Sequence, residues 1–233
     1  MHTHERVDVP FIREILDEDN WKYINVCVAS RGSESTQSQR ENARLLLEKY
    51  PRYFAWTTTF NVEGMFEPGW VNSVLKGLKA DFDHGAIGVK VWKNIGMEIQ
   101  KPNEDYIQLD DPLFRPIWEL ITRESKTLMA HMGEPLHAWM PTFTTEDGFT
   151  RNYWATHPEY SFYDKPEKPS YSDIISAADT VIRENPKMRY VGHTWPAWSL
   201  MWPSSQCAWI CTPTLQQRLE AAPVILCGRH TGK

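Results

Sequence analysis

The chain is short of the features that mark several large protein classes. It has four cysteines in 233 residues. Cys27 lies in an apolar stretch and reads as a small buried hydrophobe, while Cys207, Cys211 and Cys227 fall near the C-terminus at spacings that fit no zinc finger. Reduced thiols are expected. There is no basic block, and the net charge of −5 is spread along the chain, so the electrostatic footprint of a nucleic-acid partner is missing. No apolar run reaches the eighteen or so residues of a membrane span, and no signal peptide precedes the first structured residues. A cytoplasmic protein with neither membrane nor nucleic acid as partner is the expectation.

What the chain does have is alternation. With 41% hydrophobic residues it can bury a sizeable core, as one large α/β domain or two small ones. Apolar β-branched runs at 23–29, 53–60, 86–92, 127–131 and 188–192 read as strands. Helical patterns at 11–16, 35–50, 68–82, 112–124 and 170–185 separate them. Pro51 closes the second helix and Asp111 caps the fourth. The segment 136–169 is aromatic, proline-rich and without periodicity, too long for an ordinary connector. It reads as an insertion over a site, either a lid or a satellite cluster on the rim.

The histidines choose between architectures. In an extended strand His2 and His4 point to the same face and can grip one cation, and imidazole suits zinc and other borderline divalent metals. His4, His131 and His193 stand at or near the C-terminal ends of strands 1, 5 and 6. Strand–helix alternation gives parallel strands with helical crossovers, and closure into a (β/α)₈ barrel brings those ends round one point where an open doubly wound sheet does not. Lys90 sits between two valines on strand 4, where an unpaired charge is costly, and shares a face with Gly88 and Trp92. His84 reads as a helix C-terminal residue favoured by the dipole; His137 and His157 belong to the insertion.

Four stretches in order, His-Thr-His on strand 1, Gly-Val-Lys-Val-Trp-Lys-Asn on strand 4, Ala-His-Met-Gly-Glu-Pro on strand 5 and Asn-Pro-Lys-Met-Arg-Tyr-Val-Gly on strand 6, resemble the amidohydrolase superfamily, most closely its amidohydrolase family 2 branch of metal-dependent TIM-barrel hydrolases. The likeness runs from the first residue to about His193. It implies a divalent metal, most often Zn²⁺, held by His2, His4, His131 and His193, whose bound water is acidified to attack a small substrate. Lys90 either binds a carboxylate of that substrate, the favoured reading, or snorkels out of the barrel end; in other branches a strand 4 lysine is carboxylated and bridges two metals. A non-oxidative decarboxylase of the same branch, a catalytically dead metal-binding fragment and a chance likeness on an open sheet are the rivals. Such proteins often self-associate, so a homo-oligomer is among the implications.

The resemblance also exposes a gap. Its strand 8 aspartate, metal ligand and general base, has no counterpart here. From Thr194 to Lys233 the only acidic residue is Glu220, while Trp195, Trp198, Trp202 and Trp209 crowd with three cysteines. Restoring one base ahead of a codon set for His193–Trp202 yields Ala-His-Leu-Ala-Ser-Leu-Glu-Ser-Asp-Val, which looks like the continuation after strand 6. The expected organisation is therefore a partial barrel over 1–193, with strands 1–6 present and 7–8 missing, and a frameshifted tail over 194–233. The start reads as clipped, since the first strand of such proteins begins several residues before His-Xaa-His.

Overall fold

A computed structural model describes residues 2–8, 11–18, 20–30, 35–141 and 153–192. His193, the three C-terminal cysteines and the tail expectation lie outside the described residues. Six parallel strands form one sheet: β1 (His2–Thr3), β2 (Tyr23–Val26), β3 (Phe54–Thr59), β4 (Gly88–Val91), β5 (Thr127–Ala130) and β6 (Arg189–Gly192). The helices are α1 (Ile12–Glu18), α2 (Thr36–Lys49), α3 (Trp70–Asp83), α4 (Asn94–Met97), α5 (Arg115–Arg123) and α6 (Tyr171–Glu184).

The strand order is β1-β2-β3-β4-β5-β6, the order of the chain itself. A doubly wound sheet reverses its order at a switch point; this one does not. Crossovers of one hand between strands taken in sequence put the helices on one side of the sheet. That is the wall of a TIM-type (β/α)₈ barrel, here its first six strands.

Burial divides the two faces. Cys27, Trp56, Val89, Val91, Leu128 and Ala130 pack outward with Leu78 and Phe82 of α3, Ile117 and Ile121 of α5, and Ile174 and Val181 of α6. Each fully buried Val, Leu, Ile or Phe among these stabilises the fold by about 1.5–3 kcal/mol. The inner face carries Ile24, Val26, Val28, Met129 and Trp92, a cluster that includes no helix residue. Register places Thr57 beside Val26, Thr59 beside Lys90, and Lys90 beside Met129, so Thr57, Thr59 and Lys90 share that inner face.

Local signals set the ends of the elements. Ser35 accepts from the Ser38 N–H, Asp111 from the Leu113 N–H, and Ser170 with Asp173 forms a reciprocal capping box. α2 ends at Lys49 with Tyr50 as its cap, just ahead of Pro51. β2 is shorter than its apolar run to Ala29 suggests, for a physical reason. The buried amide of Gln39 on α2 accepts from the Val28 N–H at 2.8 Å and donates to the Val28 carbonyl at 2.9 Å, taking both groups that a longer strand would pair.

Two further features hold the wall together. Asp81 on α3, 1% exposed, is met by Arg40 at 2.8 Å and Arg44 at 2.6 Å from α2 and by the Thr58 hydroxyl of β3. Gly88 lies so close to β5 that a Cβ there would stand 2.4 Å from the Thr127 carbonyl oxygen. The described parts of the insertion form a rim cluster. Trp139 stacks on Phe162 at 4.9 Å, its indole N–H donates to the Pro169 carbonyl at 3.0 Å, and both rings pack against the outer core.

Candidate functional site

The C-terminal end of the sheet is where parallel α/β folds build sites, and its residues are pinned by backbone geometry. β1 is only two residues long, yet its exit is fixed. Asn25, 2% exposed, accepts from the Glu5 N–H at 3.0 Å and donates to the Glu5 carbonyl at 3.3 Å, and Asn42 of α2 donates to the same carbonyl at 2.7 Å. His4, between β1 and this anchor, has Nδ1 2.8 Å from the Val26 carbonyl oxygen. A carbonyl only accepts, so Nδ1 carries a proton, and in the neutral ring the lone pair is then on Nε2. A metal-ligating histidine is commonly oriented in this way, with its second nitrogen bonded to a carbonyl.

His131 follows β5 directly, and its main-chain N–H donates to the Val91 carbonyl at 3.0 Å. Trp92, the residue after β4, meets it edge to face, ring centroids 4.7 Å apart at 76°. The Lys93 ammonium lies over the Trp92 ring at 5.6 Å and is ion-paired with Glu134.

Lys90 is 5% exposed. Among the described residues its ammonium has no ion pair and no hydrogen bond, and burial alone pulls its pKa down to about 8. Its carbonyl accepts from the Thr59 hydroxyl at 2.8 Å. Lys90 borders a small cleft with Thr59, Phe60, Val62, Trp92, Asn94 and Ile95. Asn94 donates to the Ala29 carbonyl at 3.3 Å, closing the β2 side of the cleft. One strand away, the buried Thr57 hydroxyl on the same inner face has no hydrogen-bond partner among the described residues.

The sheet thus puts Lys90 on β4 and His131 just past the end of the neighbouring β5, while His4 follows β1 at the other end of the sheet. The backbone of His2 pairs with Ile24; its side chain and all of His193 lie outside the described residues. Among the described residues no three histidines, cysteines or carboxylates are placed to hold a metal ion. His84 caps α3, its ring nitrogen Nδ1 2.6 Å from the Ala80 carbonyl oxygen. His157 is held by the carbonyl of Tyr153 and the hydroxyl of Thr156, and its ring is stacked on that of Tyr153. Reasoning from sequence passed over Thr57, Thr59, Lys93 and Glu134. The last two lie inside the quoted strand 4 and strand 5 stretches, where Lys and Glu just past adjacent strand ends signal a cross-strand pair.

No protein-family model matches the chain, and no curated protein does. Solved structures similar to it include 2,6-dihydroxybenzoate decarboxylase from Rhizobium, at 14% identity and a TM-score of 0.46 over 80% of this chain and 56% of that one. A TIM-barrel protein from Bordetella bronchiseptica is similar at 14% identity and a TM-score of 0.42, covering 78% and 50% of the two chains. A dihydroxybenzoic acid decarboxylase from a Polaromonas species, solved with manganese and 2-nitroresorcinol, is similar at 12% identity and a TM-score of 0.44, covering 80% and 54%. The chain spans about half the length of these structures.

Proposed function

We propose that the chain carries the site of a metal-dependent hydrolase of the amidohydrolase type, in which His2, His4, His131 and His193 hold one divalent ion, Zn²⁺ by the preference of an all-imidazole set. The metal would supply Lewis-acid activation of water beside the bound substrate. Lys90 receives the anionic group of a small carboxylated substrate. The observation that carries this reading is the buried Lys90 ammonium, unpaired among the described residues, on the same inner face as His131, which follows the next strand. A buried charge without a counter-charge is expensive, and an incoming carboxylate removes that expense by pairing with it.

The residues do separable work. Thr59 fixes the Lys90 main chain, and the apolar walls of Phe60, Trp92 and Ile95 exclude water and strengthen the ion pair. The protonated Nδ1 of His4 directs Nε2 toward a metal, and this donor chemistry fits a zinc-type ion. A decarboxylase of the same branch is the second reading. It is favoured by the depressed basicity of Lys90, about 8, which lets the ammonium deliver a proton to a carbon that has just lost carbon dioxide. The domain division at residue 193, with a non-family tail to 233, belongs to this proposal, as does assembly into a homo-oligomer.

Metal content of the purified chain tests the reading. Near-stoichiometric zinc in wild type, lost in both His2→Ala and His131→Ala, is the expected result, since it requires residues from β1 and β5 to share one ion. Wild-type protein without bound metal in the presence of excess zinc overturns it. Product analysis with carboxylated esters, amides and aromatic acids then separates hydrolysis from release of carbon dioxide.

A further inference from the structure

Trp92 and Lys93, consecutive at the exit of β4, each grip a residue at the exit of β5. Trp92 stands edge to face with His131 at 4.7 Å, and Lys93 pairs with Glu134, three residues beyond that histidine. The two grips are linked, because the Lys93 ammonium also lies over the Trp92 ring at 5.6 Å. The side chains of Lys93 and Glu134 are only 20% and 15% exposed, so this pair is screened less than a surface pair. The main chains are locked in register as well, with Val91 beside Ala130 and the His131 N–H on the Val91 carbonyl. With the backbone fixed in this way, the indole bounds one side of the space open to the His131 imidazole.

We propose that Trp92 is a positioning residue for His131, held against the imidazole by the Lys93–Glu134 pair, so that the ring is oriented before any ligand arrives. The proposal rests on His131 being a metal ligand as set out above. Orientation by surrounding groups is a large part of what a metal site requires: losing an outer partner of a ligand commonly weakens metal binding ten- to a hundredfold. An edge-to-face aromatic contact and a cation over an indole are both geometrically selective. They hold a ring at one angle where a merely apolar neighbour would not.

The test uses the full chain as wild type, Trp92→Leu, Trp92→Phe and Glu134→Gln. Two readouts are taken, Co²⁺ titration followed by absorbance, and the His131 ring-proton shifts in metal-free protein by NMR. Expected is a tenfold or greater loss of Co²⁺ affinity in Trp92→Leu, a smaller loss in Glu134→Gln, and return to within about threefold of wild type in Trp92→Phe, which restores an aromatic edge or face. The His131 ring protons should shift in Trp92→Leu as the indole ring current is removed. Equal Co²⁺ affinity in wild type and Trp92→Leu overturns the proposal, as does a loss that Trp92→Phe fails to restore. If wild type binds no Co²⁺, the metal reading falls, and the metal-free shifts decide the positioning alone: unchanged shifts in Trp92→Leu overturn it, and displaced shifts that Trp92→Phe brings back sustain it.

Discussion

The Thr59 hydroxyl on β3 donates to the main-chain carbonyl of Lys90 on β4 at 2.8 Å, so the two side chains leave neighbouring strands at one level of the inner face. The backbone of Lys90 is satisfied there while its ammonium is not. Folding this chain therefore requires burying a charge that nothing among the described residues neutralises.

That cost has a pH signature. The Lys90 amine releases its proton near pH 8 in the folded chain and near 10.5 when unfolded. Between those values the unfolded chain holds more protons, so stability rises with pH across the window. Below it both states are protonated and the cost is present in full. At 1.36 kcal/mol per pH unit the rise is on the order of 3 kcal/mol. Urea unfolding of wild type and Lys90→Met at pH 7 and pH 9.5 should show wild type gaining on the variant at the higher pH. A constant difference between the two proteins would refute the assignment.

Asp81→Asn should lower stability by about 2–4 kcal/mol, because two guanidinium groups from α2 lose their buried counter-charge. The denaturation midpoint should fall with an unchanged slope. Replacing Arg44 alone should cost less, since Arg40 and Thr58 still hold the carboxylate.

Gly88→Ala should be destabilising by about 1–3 kcal/mol, the usual range for forcing volume into a packed site. The added methyl meets main chain, the Thr127 carbonyl at 2.4 Å, and not a side chain that could rotate away. Thermal unfolding is a sufficient measurement, and an unchanged midpoint would mean that β4 and β5 move apart at little cost.

Gln39→Leu keeps the side-chain volume and removes the two hydrogen bonds that the Gln39 amide makes to the main chain of Val28. Losing buried hydrogen bonds of this kind costs about 0.5–1.5 kcal/mol each. The opening should be local, so amide exchange of Val28 and Ala29 should accelerate more than that of the β3 interior.

The wall of the barrel was legible in the chain wherever the signal was local. Ser170 with Asp173 three residues on, Asp111 before Pro112 and the β-branched strand runs each carry their own start or stop, and the elements lie within a few residues of where those marks put them. Lys90 was legible too, because flanking valines leave a strand lysine few exposed options. Asp81 and Gln39 were not. On an amphipathic helix a carboxylate or amide reads as solvent-facing, and only a partner brought from another element turns it inward. The Trp92–His131 contact needed the β4–β5 register, which no periodicity within either strand reveals. The rim cluster hid for a similar reason, since Trp139 and Phe162 find each other across a stretch without a repeat.

Strand order has a consequence for how the chain is made. Because each strand pairs with the one synthesised just before it, every new βα unit leaving the ribosome meets a finished neighbour. Assembly can then advance vectorially, one unit docking on the last, as in repeat proteins whose stability accrues from nearest-neighbour interfaces. Few of the pairings wait on a distant part of the chain, which keeps the loop-closure penalty of each step small. Among the described strands the longest wait falls on β6, which is separated from β5 by more chain than any other neighbouring pair, so its docking carries the largest loop-closure penalty of the wall.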